Sequence, residues 1–149
     1  KLLTKKGLIS IYVYRKKGPL REFSDDYIRK STIKMTEMQC MEFSKSMALL
    51  GKSLAHLKKK ITIKEDIPLL EIKAGTYDIQ RFLYWNFLKC WWSPDVPFDQ
   101  SVATNYDWYF PKFAYRHSEK EVRKWFKDIK LKIVHFNEIE SGFSINGKN

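Results

Sequence analysis

Apolar and aromatic residues form a nearly continuous run near the start of the chain, over Leu8–Tyr14. Every residue of this run is apolar or aromatic apart from Ser10, and Gly7 and Gly18 lie on either side of it. Continuous rather than alternating hydrophobicity is typical of a strand that is covered on both faces, as in a parallel sheet. The pattern therefore predicts a buried strand that needs partners elsewhere in the protein.

Two helices are predicted to follow this strand. The first covers residues 20–30, around Asp25 and Tyr27. The second covers residues 36–59 and begins at "TEMQ", which has the form of a capping box. Its apolar positions keep helical period and predict a buried stripe of Phe43, Met47, Leu50, Leu54 and Leu57. Gly51, in the middle of this helix, indicates either a close contact or a break.

A third helix is predicted over residues 76–92, after an extended connection that ends at Gly75. From Phe82 onward its apolar residues go almost all the way round. Such a helix is either buried on every side or lines an aromatic pocket, and the sequence leaves both interpretations open. Asn86 and Lys89 share one surface of this helix, so they need polar partners there.

The stretch "NYDWYFPKFAYRHSEKEV", residues 105–122, mixes aromatic rings with polar groups. Its last part begins a helix, since Ser118 and Glu121 have capping-box spacing. The helical stripe predicted there consists of Val122, Trp125, Phe126 and Ile129. Two strands close the chain, over residues 132–136 and 143–146, with a turn at Ser141 and Gly142.

Charge and composition narrow the class of protein. The formal net charge is +11, but the lysines are spread along the chain and no nucleic-acid-binding motif is visible, which favours a solvated surface. No apolar run reaches the length of a membrane span. Residues 1–7 do not form a signal peptide, and the missing initiator methionine suggests a piece of a longer protein. Cys40 and Cys90 have no metal-ligand spacing, so we expect two free thiols in the cytoplasm.

Two stretches resemble class I S-adenosylmethionine-dependent methyltransferases. "KLLTKKGLISIYVY" is similar to the family's "LL-K-P-G-G" turn before its fifth strand, with lysines in place of the proline and one glycine. "NYDWYFPKFAYRHSEKEVRKWFKDIKLKIVHF" is similar to a stretch of a bacterial subgroup, of the form D-W-Y-x-P-x-Y/F followed by H-[ST]-x-x-E-V-x-x-W-F. The two stretches keep the family's order and spacing.

The resemblance implies an α/β fold, namely the C-terminal part of a Rossmann-like seven-stranded methyltransferase sheet. Residues 1–18 and 118–149 would supply three strands and the last helix, and residues 19–117 would be a helical, aromatic insertion that caps the substrate pocket. We expect Leu8–Tyr14 and residues 132–136 and 143–146 to form one sheet. The final strand should be antiparallel and lie between the other two.

The same resemblance implies S-adenosylmethionine as cofactor, bound through glycine-rich and acidic motifs after the first two strands. No G-x-G-x-G follows a strand in this chain. We therefore expect a methyltransferase whose cofactor-binding N-terminal half is missing from these 149 residues, which alone should be inactive. The implied partners are that N-terminal half and a small-molecule methyl acceptor, and the sequence is compatible with a homo-oligomer.

Methyl transfer from a sulfonium needs a dry aromatic site, a fixed nucleophile and often a general base. Asp107 and His117 are the candidate proton acceptors, although Asp107 also suits a turn cap and His117 also suits the residue before an N-cap. The third helix and residues 106–110 should face each other and enclose Arg81, Asn86, Asp107 and Tyr109. The candidate substrate ligands are Tyr14, Tyr77, Arg81, Asn86, Asn105, Trp108 and Tyr109.

A second class of function stays open at this point. The chain could be a non-enzymatic, basic helical module that binds nucleic acid or an acidic partner through its lysines and exposed rings. A glycine-rich strand–turn–helix encoded upstream of Lys1 would favour the enzyme over this module.

Overall fold

The computed structural model describes residues 3–4 and 6–149 and divides the chain into two compact units. The sheet unit comprises Lys1–Lys16 and Tyr115–Asn149, and the helical unit comprises Lys17–Ala114. These boundaries lie within three residues of the predicted ones. The resemblance at the start of the chain rests partly on Lys1, Leu2 and Lys5, which lie outside the described residues.

Helices and strands alternate in short groups along the chain. In order, they are β1 (Leu8–Tyr14), α1 (Pro19–Thr32), α2 (Glu37–His56), β2 (Lys60–Ile63), β3 (Gly75–Asp78), α3 (Ile79–Asn86), α4 (Phe98–Tyr109), α5 (Glu119–Asp128), β4 (Lys132–Glu138) and β5 (Gly142–Lys148). One 3-10 turn, Pro68–Leu70, lies between β2 and β3. The fold is therefore mixed α/β.

The sheet unit is built on three strands in the order β1-β5-β4. Ile145 of β5 lies opposite Ile11 of β1 on one side and Phe136 of β4 on the other, and both pairings are antiparallel. The prediction of one sheet, with the final strand antiparallel and between the other two, is confirmed. Within the described residues the two sheets have three and two strands, so no seven-stranded sheet is present.

The prediction that β1 is covered on both faces is wrong. Exposure alternates along this strand, with Ile9, Ile11 and Val13 half-buried against the core of the unit. Tyr12 and Tyr14 are on the other face and are 47% and 48% exposed. An antiparallel sheet can leave one face open, and aromatic side chains there read in the sequence as a continuous apolar run.

Helix α5 covers the inner face of this sheet through Val122 and Phe126, which are almost fully buried with Phe143 and Ile145. The predicted capping box is confirmed, because Ser118 Oγ accepts from the Glu121 amide at 3.2 Å and Glu121 accepts from the Ser118 amide at 2.7 Å. The predicted stripe was too wide. The other two predicted members, Trp125 and Ile129, are 36% and 60% exposed.

The helical unit has its core between α2 and α4. The core residues are Cys40, Met47, Cys90, Trp108 and Tyr109. Both cysteines are buried and free, as predicted. Among the described residues, no helix is both long enough and apolar enough to cross a membrane.

Helix α2 begins as predicted, because Thr36 and Gln39 form its capping box. It ends earlier than predicted, since Lys58 adopts a left-handed φ of 49°. Its buried face is made largely of small residues, namely Cys40, Ser44, Met47, Ala48 and Gly51. Of the predicted stripe, Leu50 and Leu57 are instead exposed at 40% and 55%.

Gly51 marks a close contact rather than a break. A Cβ at this position would lie 2.3 Å from the Cys90 carbonyl oxygen, which is backbone and cannot rotate away.

We expect Gly51→Ala to lower the free energy of unfolding by about 1–3 kcal/mol, although alanine gains roughly 1 kcal/mol in helix propensity. The measurement is urea unfolding followed by tryptophan fluorescence. Ser53→Ala, at an exposed position of the same helix, is the control and should be neutral or slightly stabilising.

Two secondary-structure predictions in this unit were wrong. The third helix ends at Asn86 rather than at residue 92, and Tyr77 lies in β3, before the helix, instead of in its first turn. A helix over Phe98–Tyr109, which includes most of the aromatic run that begins at Asn105, was not predicted. The connection that was predicted to be extended contains two strands, β2 and β3, which pair antiparallel.

Candidate functional site

The segment after α3, residues 87–93, has no helix or strand and is held instead by three side chains of the helical unit. Tyr109 Oη donates to the Lys89 carbonyl at 2.8 Å, and Gln80 Nε2 donates to the Cys90 carbonyl at 3.2 Å. Asn105 bonds both backbone groups of Trp91. We call residues 87–93 the pinned segment, because four backbone groups of residues 89–91 are bonded by side chains rather than by a helix.

Asn105 makes the densest of these contacts. Its Nδ2 donates to the carbonyls of Trp91 and Ser101, each at 2.9 Å, and its Oδ1 accepts from the Trp91 amide at 2.9 Å. The side chain is fully buried, and both of its amide protons are used. Asn105 therefore positions the pinned segment and has no donor left for a substrate.

The pinned segment brings Lys89 beside Arg21, and the two cations lie over the same two aromatic rings. Lys89 Nζ is 4.9 Å from the Trp108 ring centroid and 5.4 Å from that of Tyr84. The guanidinium carbon of Arg21 is 5.7 Å and 5.1 Å from the same centroids. We call these four residues, with Asp25, the cation–aromatic cluster.

Arg21 is fixed within the cluster by two further contacts. Its Nε donates to Asp25 Oδ2 at 2.9 Å, one helical turn along α1, and its Nη1 donates to the Tyr84 carbonyl. Arg21 is 1% exposed and Asp25 is completely buried, so this ion pair is withdrawn from water. Such a pair is held in place by the high cost of leaving either charge alone.

Burial dominates the protonation behaviour of the cluster. Desolvation, helped by the Arg21 charge, lowers the pKa of Lys89 to about 7. Desolvation also raises the pKa of Tyr84 to about 12 and that of Cys90 to about 11, and it raises the pKa of Tyr109. Lys89 is therefore the member of this group that changes charge near neutral pH.

The end of α4 is tied to α1 next to the cluster. Arg29 donates to the carbonyls of Trp108 and Pro111, and Thr32 Oγ1 donates to the Tyr109 carbonyl at 2.7 Å. A cation at the C-terminal end of a helix is favoured by the helix dipole and by the free carbonyls there. These contacts fix the position of the Trp108 ring.

The structure brings the third helix and α4 together through the pinned segment, but it does not enclose all the residues predicted to lie between them. Tyr109 and Trp108 are buried there. Arg81 and Asp107 are exposed, which corrects the expectation of an enclosed set, because both lie on outward faces of their helices. Asn86 is half-buried and donates to the Phe82 carbonyl of its own helix at 2.9 Å.

Three further predicted residues make contacts with residues outside the cluster. Tyr77 Oη donates to the Lys73 carbonyl at 2.8 Å, near the β2–β3 hairpin. Tyr14 and His117 belong to the sheet unit, where the His117 amide donates to the Tyr14 carbonyl at 2.9 Å. The His117 ring packs edge-on against Trp125, with centroids 4.4 Å apart. The roles of Tyr14, Asp107 and His117 stay predictions.

Sequence reasoning missed Arg21, Asp25, Tyr84 and Lys89 as a group. The i, i+4 spacing of Arg21 and Asp25 was visible but is common on exposed helices. Lys89 was singled out only as a polar residue that needs a partner. Nothing in the spacing of Arg21 and Lys89 indicates that they share two rings, because the pinned segment that joins them is not regular secondary structure.

A metal ion and the implied cofactor each need a particular set of residues. In the described residues, no three His, Cys, Asp or Glu side chains lie together as a metal site would require. The sequence also lacks the glycine-rich turn that would cradle S-adenosylmethionine. The residues present therefore do not fit the cofactor.

No family model, curated protein or solved structure matches this chain.

Proposed function

We propose that this chain is the C-terminal, substrate-binding part of an S-adenosylmethionine-dependent methyltransferase that acts on a small molecule in the cytoplasm. The observation that carries the proposal is the strand order β1-β5-β4, with β5 antiparallel to both neighbours. That arrangement follows from the resemblance and does not follow from hydrophobic pattern alone, which favoured a parallel strand. Helix α5 begins at the capping box of Ser118 and Glu121, within the stretch that resembles the D-W-Y-x-P subgroup.

The helical unit supports a role in substrate binding. Its core carries cations that are stacked on aromatic rings and withdrawn from water, and such surroundings strengthen electrostatic contacts with a ligand. Trp108 is the predicted substrate ligand that belongs to this cluster, and Arg81 lies over the Tyr84 ring at 6.0 Å from its exposed position.

Cofactor binding is assigned to the N-terminal half of the family fold, because the residues of this chain do not fit S-adenosylmethionine. The chain contributes an acceptor site and candidate proton acceptors in Asp107 and His117. When bound, the cofactor would supply the methyl group.

The test compares two proteins by calorimetric titration with S-adenosylmethionine. Residues 1–149 should show no binding in the micromolar range, since the phosphate-free cofactor needs the glycine-rich turn to hold it. The product of the complete gene should bind the cofactor and release S-adenosylhomocysteine when offered small-molecule extracts. Micromolar binding to residues 1–149, or no binding to the complete gene product, would contradict the proposal.

A further inference from the structure

Among the described residues, the helical unit buries the cationic side chains of Lys17, Arg21, Arg29 and Lys89. Arg21 pairs with the buried carboxylate of Asp25 at 2.9 Å. A buried cation in a protein is normally matched by a charge of opposite sign or by a bound ion, so the immediate surroundings of Lys89 decide whether it needs an anion.

Lys89 makes few polar contacts with the rest of the protein. An ammonium group has three donors, yet Lys89 Nζ makes one hydrogen bond, of 3.4 Å, to the Tyr84 hydroxyl. Within the described residues it forms no salt bridge. The ring faces of Tyr84 and Trp108 also lie near its Nζ, and they attract a cation less strongly than a carboxylate does.

Three cations surround the Tyr84 ring. Arg21, Lys89 and Arg81 lie 5.1, 5.4 and 6.0 Å from its centroid. Arg21 and Lys89 are buried, whereas Arg81 is exposed, so Arg81 marks the side from which an ion would approach from solvent. Converging cations of this kind raise the local concentration of an anion.

We propose that the cation–aromatic cluster binds a small organic carboxylate, whose charged group is held by Lys89 and Arg81 and whose apolar body lies against the Tyr84 and Trp108 rings. A carboxylate is a planar monoanion that accepts from a few donors. Inorganic phosphate is a strongly hydrated ion and would need more donors than this aromatic surrounding offers. The inference concerns binding alone and holds whether or not the protein transfers a methyl group.

Binding should take up a proton above neutral pH. The groups that act on Lys89 are Arg21, Asp25, Tyr84, Cys90 and Asp107, together with the Trp108 ring. Tyr84 and Cys90, whose pKa values burial raises to about 12 and about 11, stay protonated between pH 6 and pH 8.5. A bound carboxylate favours the charged form of Lys89 and raises its pKa above the free value of about 7.

The sign of the pH effect follows from this shift. At pH 6 Lys89 is already protonated in the free protein, so affinity is highest there. Above the free pKa each pH unit lowers the affinity about tenfold until the bound pKa is reached, which gives a loss of up to about 30-fold between pH 6 and pH 8.5. Over the same range, the carboxylate probe stays ionised.

The test titrates residues 1–149 with benzoate, phenylacetate and hexanoate, each beside its primary amide, and with inorganic phosphate. At pH 6 at least one carboxylate should bind with a Kd of about 1 mM or tighter, measured by tryptophan fluorescence and calorimetry. The matching amide should bind at least tenfold more weakly. Calorimetry in buffers of different ionisation enthalpy should give an uptake of about one proton at pH 8.5.

Two variants separate the proposed site from general effects. Lys89→Met should weaken binding at pH 6 at least about tenfold and remove the pH dependence. Arg81→Gln, at an exposed position where folding is not at risk, should weaken it about three- to tenfold and keep the pH dependence. Arg123→Gln is the control, since Arg123 also stacks on a ring, Phe136 at 4.0 Å, but lies in the sheet unit, where no second cation of the described residues lies over that ring.

Several results would overturn the proposal. They are equal binding of acid and amide, binding of phosphate alone, no carboxylate binding at pH 6, an unchanged pH profile in Lys89→Met, and unchanged affinity in Arg81→Gln. The affinity of Arg81→Gln tests the proposal even if Lys89→Met fails to fold.

Discussion

Arg21→Met should destabilise the helical unit by about 3–5 kcal/mol, the largest effect that we expect from a single substitution in this protein. The methionine keeps most of the apolar contact with the Tyr84 and Trp108 rings, so the loss is mainly electrostatic. It removes the Nε donor from Asp25, which is completely buried, and the donor to the Tyr84 carbonyl. A buried carboxylate that loses its arginine retains the cost of leaving water without the compensating charge.

Two further variants identify the origin of this effect. Arg21→Met combined with Asp25→Leu removes both charges, and we expect it to recover most of the lost stability, because buried ion pairs are often replaced by apolar residues at little cost. Arg123→Met is the matched control, since Arg123 Nε pairs with Glu119 at 2.6 Å and the same i, i+4 spacing, but both side chains are nearly half-exposed. It should cost less than about 1 kcal/mol.

Urea unfolding followed by tryptophan fluorescence measures these changes, since four of the five tryptophans lie in the helical unit: Trp85, Trp91, Trp92 and Trp108. A loss of less than about 1 kcal/mol in Arg21→Met, equal to that in Arg123→Met, would mean that the buried pair is not held as the structure has it. A double variant no more stable than Arg21→Met alone would point to packing as the cause.

Asn105→Leu should lower the free energy of unfolding by about 2–4 kcal/mol, because three hydrogen bonds of 2.9 Å are lost together. Leucine has the same branching and the same number of side-chain heavy atoms as asparagine, so it is the apolar residue that matches its shape most closely. The amide and carbonyl of Trp91 would both lose their bond to the Asn105 side chain, and a partly buried backbone group without a partner is costly.

The matched control is Asn86→Leu, in which the lost bond runs only to the Phe82 carbonyl of the same helix. It should cost less than about 1 kcal/mol. Amide hydrogen exchange adds a second measurement, since Asn105→Leu should remove the protection of the Trp91 amide while Asn86→Leu should not. Retained protection of that amide in Asn105→Leu would contradict the pinned segment.

Local signals in the sequence determined the elements that depend on neighbouring residues. Both capping boxes, at Thr36 and Ser118, form as predicted because their hydrogen bonds join residues three apart. The turn before Gly142 and the helical period of α2 likewise depend on residues that are close together in the sequence. The arrangement of the three strands was also predicted, but from a family resemblance rather than from the apolar pattern.

Only the tertiary structure decided where α3 ends and what lies around Lys89. Residues 87–93 have the composition of a buried helix, yet backbone groups of residues 89–91 are bonded by Gln80, Asn105 and Tyr109, which lie ten or more positions away in the sequence. Burial then lowers the pKa of Lys89 to about 7, a change that depends on surrounding atoms and not on sequence neighbours. Hydrogen bonds and desolvation between distant residues have no periodic signature, so the cation–aromatic cluster could be found only from the fold.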